Sequence, residues 1–170
     1  ILRGAIIYGA NASGKSNFVE SLAFLKKLIA HPVKPKKKNP THPFRMGREK
    51  DASTFEIEFI SNGYSYRYLL AIDSNAISKE ELYLITPNSQ QNIYTRKLGV
   101  DENKVSHWGK SFEGNDSDSK SRLSYFLDEC PSNRTLLSEF RERGISSDFS
   151  GREHLKNVID WFLYSLQIIR

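Results

Sequence analysis

Residues 9–16 read Gly9-Ala10-Asn11-Ala12-Ser13-Gly14-Lys15-Ser16, with two glycines, a lysine and a hydroxyl residue at the spacing of a phosphate-binding loop. No other feature of the chain restricts its fold as much, because the loop works only between a buried strand and the start of a helix. Gly9 and Gly14 remove Cβ atoms where the backbone must curl and come close to phosphate. Amides up to Ser16 form an anion nest at the positive end of the following helix. Lys15 sets a cation against the β and γ phosphates, and the Ser16 hydroxyl ligates magnesium. Asn11, Ala12 and Ser13 shape the loop. At ordinary residue frequencies a chance match in a chain this long has a probability of about one in a hundred, so the flanking sequence decides.

The flanks agree with the motif. Ile1 to Tyr8 is short and mostly apolar and predicts a buried strand feeding the loop. From Lys15 to Ile29, the residues Phe18, Leu22, Leu25 and Ile29 recur at helical spacing as one apolar stripe. Lys26 and Lys27 suit the negative end of that helix, and Pro32 stops it.

Segments 31–53, 54–100, 101–121 and 122–170 differ in character. The first is a proline-rich basic loop carrying Lys34, Lys36, Lys37, Lys38, Arg45, Arg48 and Lys50. It reads as a solvated loop, with a phosphate-contacting patch as the alternative. In the second, Phe55, Ile57 and Phe59 alternate with Glu56 and Glu58, Asn62-Gly63 supplies a hairpin turn, and Pro87 to Gln90 supplies another. The expectation is an antiparallel meander of about four strands. Tyr64, Tyr66 and Tyr68 share one strand face and read as packing rather than base stacking. Segment 101–121 is polar and aperiodic and predicts an exposed insert. Segment 122–170 is helical, with apolar faces at Leu123, Phe126, Leu127 and Cys130, then at Leu155, Val158, Ile159, Phe162, Leu166 and Ile169.

The 170 residues suit one domain, α/β in class. Ile1 in place of a methionine, and an apolar pattern still running at Arg170, predict a domain that continues past both ends. A net charge of +5 is compatible with an anionic partner. The lone cysteine, Cys130, and the lack of an apolar leader or a run of about 20 apolar residues predict a cytoplasmic protein outside the membrane.

Turnover of a nucleotide requires a second acidic residue at a strand end. Asp128-Glu129 follows the apolar Tyr125-Phe126-Leu127 and is the candidate, although the surrounding spacing fits a helix better. Asp148-Phe149-Ser150-Gly151 matches a two-residue GTPase pattern that recurs by chance, and the guanine-reading tetrapeptide is missing, which argues against a GTPase. His31, His42, His107 and His154 have no metal-ligand spacing and read as surface or loop residues.

The run Tyr8 to Glu20, with Asn17 directly after Ser16, resembles the phosphate loop of the ABC-type AAA ATPases of bacterial defence systems. These are similar to RecF, the overcoming-lysogenization-defect nucleases and chromosome-maintenance ATPase heads. Pro43-Phe44-Arg45, Phe55 to Phe59, Tyr66-Arg67-Tyr68, Glu81-Leu82 and Tyr94-Thr95-Arg96 resemble the β-rich lobe that follows the loop. The resemblance implies a P-loop NTPase fold of ABC-ATPase type: a mixed sheet with an antiparallel meander after the loop helix, then helices. It also implies ATP with Mg2+, hydrolysed when C-terminal elements and a second subunit complete the site, and a homodimer sandwiching two nucleotides, serving DNA or an effector protein in a DNA-related or anti-phage defence activity. Neither a Leu-Ser-Gly-Gly-like signature nor a switch histidine follows, and Gln90 and Gln91 fall in a predicted turn. Two other readings stay open. One is a phosphotransferase using Arg134, Arg141 and Arg143 as lid arginines; the other is an ATP-gated binding module without turnover.

Overall fold

The first three hairpins of the meander are each fixed by residues at the turn. The computed structural model describes residues 8–10, 14–34, 37–39, 52–98, 104–112, 116–144 and 149–168. The expected strand at 1–8, apart from Tyr8, lies outside them, as does most of the basic loop, including Pro43-Phe44-Arg45. Strand β1 (Ser53–Ser61) turns into β2 (Tyr64–Ile72) through Asn62 and Gly63, both with positive φ (49° and 80°), as a two-residue turn matched to strand twist requires. Between β2 and β3 (Ile77–Thr86) the Asp73 carboxylate accepts from the amides of Asn75 and Ala76. Between β3 and β4 (Ser89–Leu98) the Thr86 hydroxyl accepts from the Ser89 amide. That turn is tighter than expected, so Gln90 and Gln91 lie on β4 and not in a turn.

The polar segment 101–121 departs from its expected character. Residues Lys104–Trp108 form a fifth strand, β5, paired antiparallel with β4, with Trp108 opposite Tyr94. Alternation is too short there to show as a pattern, and the pairing is sustained by the aromatic anchor Trp108, whose ring lies 4.5 Å from that of Phe112. Gly109 follows because a Cβ at that position would sit 1.7 Å from the Asn92 carbonyl oxygen. Gly109→Ala is therefore expected to destabilise the chain by about 1–3 kcal/mol, read as a lower thermal midpoint. An unchanged midpoint would show that the β4–β5 edge gives way freely.

The sheet order is β1-β2-β3-β4-β5, antiparallel throughout among the described residues. Tyr66, Tyr68, Leu70 and Ile72 are fully buried and alternate with partly exposed neighbours, so one face is packed. All the helices contribute side chains to this side. Helix α1 (Lys15–Ala30) stacks Phe24 on Phe55, α2 (Ser117–Glu129) and α3 (Leu136–Arg143) join through Phe126 and Phe140, and Trp108 meets Phe140. Helix α4 (Arg152–Asp160) runs into a wide π turn, Trp161–Ser165, closed by the Leu166 amide on the Trp161 carbonyl. The turn puts Trp161 against Phe59, and Phe162 against Phe59 and Tyr68. Asp116 and Thr135 cap α2 and α3 by accepting from Ser119 and Ser138, so the helix starts inside the expected insert.

The packed face also holds an ion pair. Register places Leu70, Glu80 and Arg96 in one row, and Glu80 and Arg96 are 0 % and 2 % exposed. Tyr68 and Tyr94 donate to one Glu80 oxygen at 3.1 and 2.8 Å, and the Leu136 amide donates to the other at 2.7 Å. Arg96 lies 3.6 Å from the carboxylate and donates to the carbonyls of Cys130, Pro131 and Arg134. The sheet is thereby fastened to the α2–α3 connection. Burial, with the Glu80 charge adding to it, pushes both tyrosines well above their ordinary value, so they remain donors.

Candidate functional site: the loop before helix α1

Helix α1 begins at Gly14, whose φ of 92° is left-handed and whose Cβ position is open, with nothing within 4 Å. A glycine at the N-cap has no side chain to satisfy the amides of the first turn. The first turn, Lys15-Ser16-Asn17-Phe18, contains no acidic residue to complement the positive end of the helix dipole, and it starts on a cation. A helix in an ordinary structural role favours the reverse arrangement. The Lys15 ammonium folds back over the loop and donates to the carbonyls of Gly9 and Ala10, each at 2.6 Å. Ser16 and Asn17 are exposed, as are Gly9 and Ala10. Asn11, Ala12 and Ser13 lie outside the described residues.

A phosphate chain fits these features. A helix N-terminus whose cap residue offers no side-chain acceptor, a glycine that leaves space for close approach, an exposed hydroxyl and a lysine on the loop carbonyls form the donor set such an anion needs. Gly9, Gly14, Lys15 and Ser16 are thus gathered at one end of α1 as the motif requires. The other end is fixed. Leu25, Leu28, Ile29 and Ala30 are buried, Lys26 donates to the Leu166 carbonyl, and Arg141 donates to the Ala30 carbonyl at 2.8 Å. The expected stripe is corrected at its start, since Phe18 is 52 % exposed and packing begins only at the level of Phe24 and Leu25. The described elements meet α1 near its C-terminal half.

Other candidates resolve differently. Asp128 and Glu129 are exposed in the last turn of α2, so this pair does not sit at a strand end. Among the described residues no group of three or more His, Cys, Asp or Glu side chains could hold a metal ion. The lid arginines of the phosphotransferase reading are engaged elsewhere: Arg134 with the Val33 carbonyl, Glu139 and Glu142, Arg141 with Ala30, and Arg143 with Glu139. Tyr66 and Tyr68 are fully buried, as packing demands, whereas Tyr64 at the start of the strand is exposed. No helix among the described residues is long and apolar enough to cross a membrane.

His154 is not a surface residue. It lies on α4, buried between the rings of Tyr64 and Tyr66, with Nδ1 3.0 Å from the Tyr66 hydroxyl, and that hydroxyl accepts from the Asn157 side-chain amide. Burial lowers its pKa, against a smaller upward pull from Glu153. The unfolded chain then binds this proton more readily, so its contribution is full above about pH 6.5 and is lost as pH falls through that value toward the lower folded-state pKa. Urea midpoints at about pH 7.5 and 5.5 should differ in that direction, and His154→Gln should shrink the difference; an equal drop in the variant would assign it to other groups.

A family model described as "AAA domain, putative AbiEii toxin, Type IV TA system" matches residues 5–169. No curated protein and no solved structure matches the chain. The match covers the loop, the meander and the helices that follow, and it agrees with the α/β arrangement described above.

Proposed function

The chain belongs to this AAA-domain family, a class of nucleotide-binding P-loop ATPase domains, and on that footing we propose that residues 9–17 bind ATP with Mg2+. The observation that carries the proposal is the start of α1: a left-handed glycine cap, no acid in the first turn, and Lys15 where the dipole disfavours a cation. A bound triphosphate reverses the sign of that arrangement. The amides of Gly14, Lys15 and Ser16 would hold the phosphates, Lys15 would exchange loop carbonyls for phosphate oxygens, and the Ser16 hydroxyl would offer one ligand to magnesium. Magnesium neutralises charge on the phosphates when bound; the chain's own task is to hold and orient them.

The finer reading is an ABC-type head that dimerises over two nucleotides and drives a DNA-related or anti-phage defence activity. The motif from Tyr8 to Glu20 supports it. Asp128-Glu129 lies on a helix and stands outside the catalytic set, and in this reading turnover draws its catalytic groups from C-terminal elements and a second subunit. ATPase activity per protomer should then rise with protein concentration. A specific rate independent of concentration would contradict the composite site, and ATP and GTP binding equally well would contradict the nucleotide assignment.

A further inference from the structure

We propose that the turn after α1, carrying Lys34, Lys37 and Lys38, is a sequence-independent contact for the phosphate backbone of nucleic acid. An ordinary solvated loop leaves its carbonyls to water. Here the backbone is held from below instead. The Asn133 amide, on a residue only 3 % exposed, donates to the carbonyls of Lys34 and Lys37 at 3.0 and 2.7 Å. Arg134 donates to the Val33 carbonyl at 2.7 Å, and the Lys37 amide closes back onto the Lys34 carbonyl. At the far side Asn39 is buried, with its backbone amide on the Ser74 carbonyl and its side-chain amide on the Asp73 carbonyl.

The carbonyls of Val33, Lys34 and Lys37 are thus turned inward while the side chains of Lys34, Lys37 and Lys38 are all exposed. Asn133 and Arg134 belong to the same connection that Arg96 and Glu80 fasten to the sheet, so the lysines stand on a rigid support. Arg141, on the Ala30 carbonyl, adds positive charge beside the turn, while Glu142 is engaged by Arg134. No aromatic residue interrupts 33–39, so base stacking has no platform and the chemistry is that of point charges on phosphates. The net charge of +5 acts in the same direction. The inference does not depend on nucleotide binding at the loop.

The test is fluorescence anisotropy of the full chain with a mixed-sequence DNA duplex and, in a second arm, an RNA hairpin of equal phosphate number. Three phosphate contacts predict that affinity for the preferred nucleic acid drops by roughly 40-fold between about 50 and 200 mM salt. The variant Lys34→Ala/Lys37→Ala/Lys38→Ala should bind about 10-fold or more weakly at low salt, with a salt slope smaller by roughly 2–3. The triple Lys→Arg variant should bind as the parent does, because only the charge is required. Which arm binds identifies the source of the phosphates. Undetectable binding in both arms, equal binding by the alanine variant, or binding of polyglutamate in place of either nucleic acid would overturn the proposal.

Discussion

Lys15→Ala is expected to weaken Mg-ATP binding roughly 10- to 150-fold, the equivalent of a lost hydrogen bond to a charged group at about 1.5–3 kcal/mol. The same substitution should leave the thermal midpoint nearly unchanged. Lys15 sits at the first helical position, where the dipole disfavours a cation by about 0.3–1 kcal/mol, and its removal relieves that repulsion. Against this gain stand, among the described residues, its hydrogen bonds to Gly9 and Ala10, which are exposed and of small net value. A residue that contributes little to folding but much to ligand affinity is one kept for the ligand. Titration calorimetry and a thermal melt on the same preparation separate the two effects. Unaltered affinity would remove Lys15 from the site, and a large fall in the midpoint would give it a structural role instead.

The second large effect is expected far from the loop. Glu80→Ala leaves Arg96 buried without its carboxylate and leaves Tyr68, Tyr94 and the Leu136 amide without their acceptor. Breaking a buried pair from one side costs about 3–5 kcal/mol. At about 2–4 °C per kcal/mol for a chain of this size, the midpoint should fall by about 6–20 °C. Arg96→Met should have a similar cost, since it leaves the Glu80 charge uncompensated. Combining Glu80→Ala with Arg96→Met removes both charges together, and its cost should be well below the sum of the two single changes. Additive losses would show that the pair acts as two independent residues.

This ion pair also marks where the sequence stops being legible. Residues 77–86 read as a strand, but Glu80 and Glu81 are adjacent acids on opposite faces, both buried, and nothing local says that Glu81 pairs with Lys79 and Lys97 while Glu80 enters the packed face. The answer depends on Tyr68 and Tyr94, twelve and fourteen residues away, and on Leu136 beyond them. The hairpins were readable because Asn62-Gly63 and Pro87-Asn88 act over four residues. Strand β5 was not, because it is five residues long and stabilised by pairing with β4 and by the contacts of Trp108. His154 was misread for the same reason, since its partners Tyr64 and Tyr66 arrive from a strand about ninety residues earlier. At the candidate site the reverse held. The glycines, Lys15 and Ser16 are contiguous, so their geometry follows from local rules, whereas the exposure of Phe18 depends on which elements pack against α1.

The most direct measurement is an amide NMR titration of the 15N-labelled chain with Mg-ATP, using AMP as the control. The start of α1 as a triphosphate cradle predicts that the largest shifts fall on Gly14, Lys15, Ser16 and Asn17, and that AMP, with only one phosphate, leaves them nearly unmoved. Shifts of equal size with AMP, or shifts confined to residues away from the first turn of α1, would contradict it.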